Sequence, residues 1–114
     1  MVIYMQKVRI KIKINDYIID EIGFLNNNVI QVEASKEIIK FDYKNNVLEK
    51  QDNDLRITMD FNNKKIKYEL LNENNKFYNK LILLSLTNDN KTVIINYQIE
   101  ETNFLLKITY EPID

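Results

Sequence analysis

The side chains of this 114-residue sequence that could carry acid–base or covalent chemistry are carboxylates, lysines, tyrosines and two serines, with no histidine and no cysteine among them. Without histidine, Ser35 and Ser85 have no base of the serine-triad kind. Without cysteine there is no thiolate zinc site, no disulfide and no thiol nucleophile. The adjacent carboxylates Asp20 and Glu21, and Glu100 and Glu101, resemble the pair of a glycosidase or the start of a calcium site. Neighbours on a strand point to opposite faces, however, so neither pair converges on one substrate. No EF-hand spacing, phosphate-binding loop, dinucleotide fingerprint or nucleophile elbow is present. Composition leaves lysine or carboxylate catalysis formally open, but no motif supports it. The sequence therefore reads as a non-enzyme with no catalytic residues, no metal and no cofactor.

Arg9, Lys11 and Lys13 form a basic stripe that could meet phosphates. The formal net charge is −1, and no aromatic residues interleave with the stripe to stack on bases, so the reading is a solvated strand face rather than a nucleic-acid site. The tyrosines are more informative. Tyr43, Tyr68, Tyr97 and Tyr110 all fall in phase with apolar residues, which buries each ring and obliges each hydroxyl to find a partner. Two arrangements meet that need: hydroxyls that reach the rim of a filled core, which is the commoner case, and hydroxyls that line a ligand cavity.

These residues are positioned by strands. Val8, Ile10, Ile12 and Ile14 alternate with charged residues, the period of a strand with one dry face. The same pattern predicts strands over Tyr17 to Leu25, Val29 to Ala34, Glu37 to Tyr43, Val47 to Lys50, Leu55 to Phe61, Ile66 to Leu70, Val93 to Ile99 and Phe104 to Tyr110. With one glycine and one proline in the chain, asparagine and aspartate clusters must make the turns, at spacings of a sandwich or barrel. The segment Asn74 to Leu86 fits a buried strand and also a helical period; the strand is preferred. The expectation is one domain over residues 1–114, all-β, an antiparallel meander of about ten strands. Because Val8 to Ile14 and Phe104 to Tyr110 are long and regular, the first strand is expected to pair with the last and close a barrel.

The longest apolar run, Leu81 to Leu86, is too short to span a bilayer. The stretch Met1 to Met5 lacks the apolar core and cleavage site of a secretory leader, so a cytoplasmic protein is expected. Apolar residues also fall on the nominally wet phases, notably Ile38, Ile94 and Leu105. Ile94 and Leu105 on neighbouring strands predict an outer patch, covered by a segment of the chain or by a second copy in a two-fold homodimer.

Laid out in strand order, Gly23-Phe24, Ile38 to Tyr43 with Asn46-Val47-Leu48, Leu55 to Phe61, Tyr68, Val93 to Tyr97 and Leu106 to Tyr110 resemble the DUF1934, or YwiB-like, family of small bacterial proteins of unknown function. Where members of that family often carry an arginine, this chain has Lys50. The resemblance implies a calycin-like, lipocalin-type barrel and brings no catalytic residues. It favours a binding module for a small apolar ligand in the barrel mouth, with Tyr43, Tyr68, Tyr97 and Tyr110 as ligand-binding candidates. The alternative is a protein–protein or homodimeric module that uses the Ile94 and Leu105 patch around a filled barrel.

Overall fold

The computed structural model describes residues 5–113; most of the N-terminal stretch read above for a leader, residues 1–4, lies outside them. The strands are β1 (Gln6–Ile14), β2 (Tyr17–Asn26), β3 (Val29–Ala34), β4 (Glu37–Asp42), β5 (Val47–Gln51), β6 (Leu55–Asp60), β7 (Lys65–Leu70), β8 (Asn75–Lys80), β9 (Ile82–Asn88), β10 (Thr92–Ile99) and β11 (Thr102–Pro112). All pair antiparallel in one sheet of order β8-β7-β6-β5-β4-β3-β2-β1-β11-β10-β9. β1 does pair with β11, from Val8 opposite Pro112 to Ile14 opposite Leu106.

The seam of the sheet therefore lies between β8 and β9, and the chain itself crosses it. Only Leu81 separates these two strands, and its amide donates to the Lys64 carbonyl at 3.2 Å. β8 pairs with β7 and β9 with β10, so the segment expected as a single strand is one extended run that changes neighbour at Leu81. Counted as one run, β8 and β9 make a ring of ten, and an even number lets every neighbour stay antiparallel. Past the bend, the register shifts near Asn96 and Tyr97, leaving Leu84 as an unpaired bulge residue.

A second corner lies in β2. This strand pairs with β1 from Tyr17 to Leu25, but with β3 only from Phe24 to Asn26. At the divergence stands the chain's single glycine. A Cβ on Gly23 would lie 2.2 Å from the Gln31 carbonyl oxygen and 2.6 Å from Ile10 Cδ1. Only a residue without a side chain lets β3 approach β2 that closely at a corner.

Turns are made without glycine. Asn15, Asn27, Asn46, Asn74 and Asn90 take left-handed backbone angles, joined by Ser35, Lys36, Lys64 and Glu100. Aspartates fix several of these turns by accepting amide hydrogens: Asp42 from Lys44 and Asn45, Asp52 from Asp54 and Leu55, and Asp89 from Lys91 and Thr92.

The inner faces meet in an apolar core. Ile10, Ile12, Ile30, Val32, Phe41, Met59, Phe61, Tyr97, Leu106 and Ile108 are buried there. Ile57 and Tyr68 are half-buried, because their row lies toward one end of the barrel. No described segment is helical, and no helix is long and apolar enough to cross a membrane.

Gly23→Ala is expected to lower stability by about 3 kcal/mol, the upper end of the usual cost of overpacking, because the obstructing atom is backbone. Denaturant unfolding checks this. A loss of no more than about 0.5 kcal/mol, the range of a surface change, would contradict the corner geometry.

Candidate functional site

The two ends of the barrel differ. At the end that carries the β4–β5, β6–β7 and β9–β10 turns, polar side chains tie the turns together. Asn88 Nδ2 donates to the Tyr43 carbonyl and to Asn46 Oδ1, both at 2.7 Å. Asn46 Nδ2 donates to Asn62 Oδ1 at 3.2 Å, and Asn62 Nδ2 to the Asn45 carbonyl at 2.9 Å. Two of the four singled-out tyrosines belong to this closure. The Tyr43 hydroxyl donates to the Lys91 carbonyl at 3.2 Å and the Tyr110 hydroxyl to the Asn90 carbonyl at 2.8 Å, with their rings edge to face at 5.3 Å.

Tyr97 sits deeper, stacked on Phe104 at 5.2 Å and edge to face with Phe61 at 5.1 Å. Burial, followed by the proximity of Tyr68, pushes its hydroxyl pKa up to about 12. Burial also raises the Tyr43 pKa, with smaller contributions from Tyr110 and Asp89. The structure thus does not gather the four tyrosines into one site: Tyr43 and Tyr110 seal one end, Tyr97 fills the middle, and Tyr68 points toward the other end.

At that other end, the strand register sets side by side, on the inner face, Val32, Ile39, Lys50, Ile57, Tyr68 and Phe77. Exposure grows along this row. Val32 and Ile39 are buried, Lys50, Ile57 and Tyr68 half-buried, and Phe77 is 54% exposed although it shares the inner face. Across the opening, Tyr17 and Glu21 of β2 share the inner phase of the buried Ile19 and are likewise exposed. The barrel is closed at one end and splayed at the other.

Charges on the inner face occur only at the splayed end. By register, Lys50 is the one cation on the inner face of the described strands, with Glu37 and Glu21 the only carboxylates. Lys50 Nζ lies 3.7 Å from Glu37 Oε2 and 5.5 Å from the centroid of the Tyr17 ring, so it bridges from β5 across to β2. Glu37 Oε2 is buried, and no hydrogen-bond donor among the described residues reaches it. A small cleft of about 100 Å³ opens here, lined by Glu37, Lys50, Gln51, Asp52, Leu55 and Ile57. The arrangement offers an ammonium with spare donors, a carboxylate oxygen that lacks one, and an apolar row leading outward.

Sequence reasoning missed Glu37, Tyr17 and Phe77, and met Lys50 only through the family resemblance. The signal was present: Glu37 is in phase with Ile39 and Phe41, and Lys50 with Leu48, so each is a charge on an otherwise dry phase. The outer candidates also have places. Ile94 is half-buried between Thr87 and Lys107, whereas Leu105, 45% exposed, borders a shallow groove with Leu84, Asn15 and Asn96. In the basic stripe, Arg9 is held by Asp20 at 2.9 and 3.3 Å on the outer surface. No group of three or more carboxylates placed to hold a metal ion occurs among the described residues. No family model, curated protein or solved structure matches the chain.

The raised tyrosine pKa values fix a sign. The unfolded chain ionises its tyrosines near 10 and the folded chain ionises Tyr97 only near 12, so stability is full below about 10 and falls between those values. Denaturant midpoints of wild type and Tyr97→Phe, measured from pH 9 to 12, are expected to show the wild type losing its advantage across that window. Parallel curves would contradict the burial of this hydroxyl.

Proposed function

We propose that the chain is a non-enzymatic binding module that holds a small, largely apolar molecule at the splayed end of its barrel. The observation that carries this reading is the inner-face row from Ile39 to Phe77, which leaves the core half-covered and holds the one inner cation of the described strands 3.7 Å from a carboxylate oxygen that lacks a hydrogen-bond donor. The lumen is lined by buried apolar side chains and opens only toward the splayed end, so the ligand body lies along Ile57, Tyr68 and Phe77. Its polar head both accepts from Lys50 and donates to Glu37, which excludes a plain hydrocarbon. Tyr17, on the far side of Lys50, covers the head.

The same proposal includes kinship with the DUF1934, or YwiB-like, family and its calycin-like barrels. Support comes from the ten-run antiparallel ring and from Gly23-Phe24 at a corner. Of the ligand-binding candidates named from sequence, Tyr68 is the one this reading keeps.

A suitable probe is 1-anilinonaphthalene-8-sulfonate, which joins apolar rings, an N–H donor and an anionic acceptor and brightens when desolvated. Saturable one-to-one binding is expected. Lys50→Met and Phe77→Ser should each weaken it about tenfold, or about 1.4 kcal/mol, while Leu105→Ser leaves it unchanged, with far-UV circular dichroism the same throughout. No binding, or equal weakening by Leu105→Ser, would contradict the proposal.

A further inference from the structure

Charge is spread unevenly over the outside of the barrel. The register of β6, β7 and β8 sets three cross-strand rows on one outer surface. They are Asp60, Lys65 and Lys80, then Thr58, Lys67 and Tyr78, then Arg56, Glu69 and Lys76. Five of these side chains are cations and two are carboxylates, in a chain whose formal net charge is −1. Glu49 of β5 and Glu73 of the β7–β8 turn lie beyond the rows.

Both carboxylates within the rows are already engaged. Glu69 Oε1 lies 3.3 Å from Arg56 Nε and 3.3 Å from Lys67 Nζ, and the Glu69 side chain is only 14% exposed. Asp60 accepts from the Asn63 amide at 3.1 Å and from Asn63 Nδ2 at 2.7 Å. Lys65, Lys76 and Lys80 belong to no ion pair among the described residues. Tyr78 stands among them. It is 69% exposed, the most of any large apolar side chain among the described residues, between Lys76 and Lys80 on its own strand and opposite Lys67. Its neighbour Phe77 belongs to the inner row, so the splayed end gives no account of Tyr78.

We propose that this outer face of β6, β7 and β8 binds single-stranded nucleic acid, with a base stacked on Tyr78 and the flanking phosphates met by Lys65, Lys76 and Lys80. Unpaired lysines ask for an anion, and an exposed ring among them asks for a flat aromatic face beside the charge; a single strand supplies the two in alternation. The aromatic that the Arg9 stripe lacks is present here, since Lys76, Tyr78 and Lys80 follow one another along one face. Arg9 is in addition held by Asp20. A duplex keeps its base faces stacked inside, and an acidic peptide pairs with lysines without needing a ring, so neither accounts for Tyr78. The surface lies across the sheet from Ile57, Tyr68 and Phe77, and it does not depend on ligand binding at Lys50.

The test is fluorescence anisotropy of the full chain with a labelled oligothymidylate of about ten nucleotides, a length within the site sizes of single-strand-binding folds. Saturable binding at low salt is expected. Tyr78→Ala should weaken it about tenfold, as the loss of one stacked base does. Lys80→Gln should lower the slope of log K against log salt by about 0.7, the value for one phosphate of a single strand. Lys13→Gln in the other stripe and Phe77→Ser on the inner face should change neither, with far-UV circular dichroism the same throughout. The strand annealed to its complement should bind about tenfold more weakly, because its bases are no longer free to stack. No binding at low salt would overturn the proposal, as would a duplex bound as tightly as the single strand, or binding that Tyr78→Ala leaves intact. So would adsorption to phosphatidylserine vesicles that excess oligothymidylate does not release, which would mark the face as a membrane contact.

Discussion

Val8 to Ile14 of the first strand lie against Pro112 to Leu106 of the last, and this ladder turns a meander into a ring. Without it, β1 and β11 would each present a free edge, and the inner faces of β1, β10 and β11 would not meet those of β4 to β7. Val8, Ile10, Ile12, Val93, Ile95, Leu106 and Ile108, all fully buried, owe their cover to that closure. A chain with no disulfide rests on this buried apolar surface as its main source of stability.

Closing the ring forces two corners, and each is met by an unusual local solution. At Gly23 the absence of a side chain admits β3; at Leu81 the strand keeps going and changes partner. Both leave edges partly unpaired and the sheet splayed at one end, while asparagine amides and two tyrosine hydroxyls tie the other end shut. The polar character of the splayed end follows from water access. The Lys50 and Glu37 side chains stand on the inner face where each keeps partial access to solvent, whereas in the next row inward Ile30, Phe41, Leu48, Met59 and Ile66 are buried.

Most of the fold was legible in the sequence, because period-two alternation over residues such as Val8 to Ile14 reports directly which side chains are buried. Strand pairing between the chain ends followed from the regularity of those two strands. The bend at Leu81 was not legible, since Leu81 to Leu86 is apolar at nearly every position and carries no phase. The splayed end was hidden for a related reason: Glu37 and Lys50 interrupt a dry phase, which reads as the end of a strand until the fold brings their charged groups within 3.7 Å of each other. The asparagines looked like turn formers, and several are; that Asn46, Asn62 and Asn88 also bond to one another depends on contacts distant in sequence.

Hydrogen exchange resolved by residue tests the closed ring most directly. In β1 the amides of Ile10 and Ile12 bond to β2, while those of Arg9, Lys11 and Lys13 bond to β11. The ring predicts that both sets exchange slowly and to similar degrees, although the second set belongs to residues with solvent-exposed side chains. Rapid exchange at Arg9, Lys11 and Lys13 beside protected Ile10 and Ile12 would mark β1 as a free edge and contradict the closed barrel.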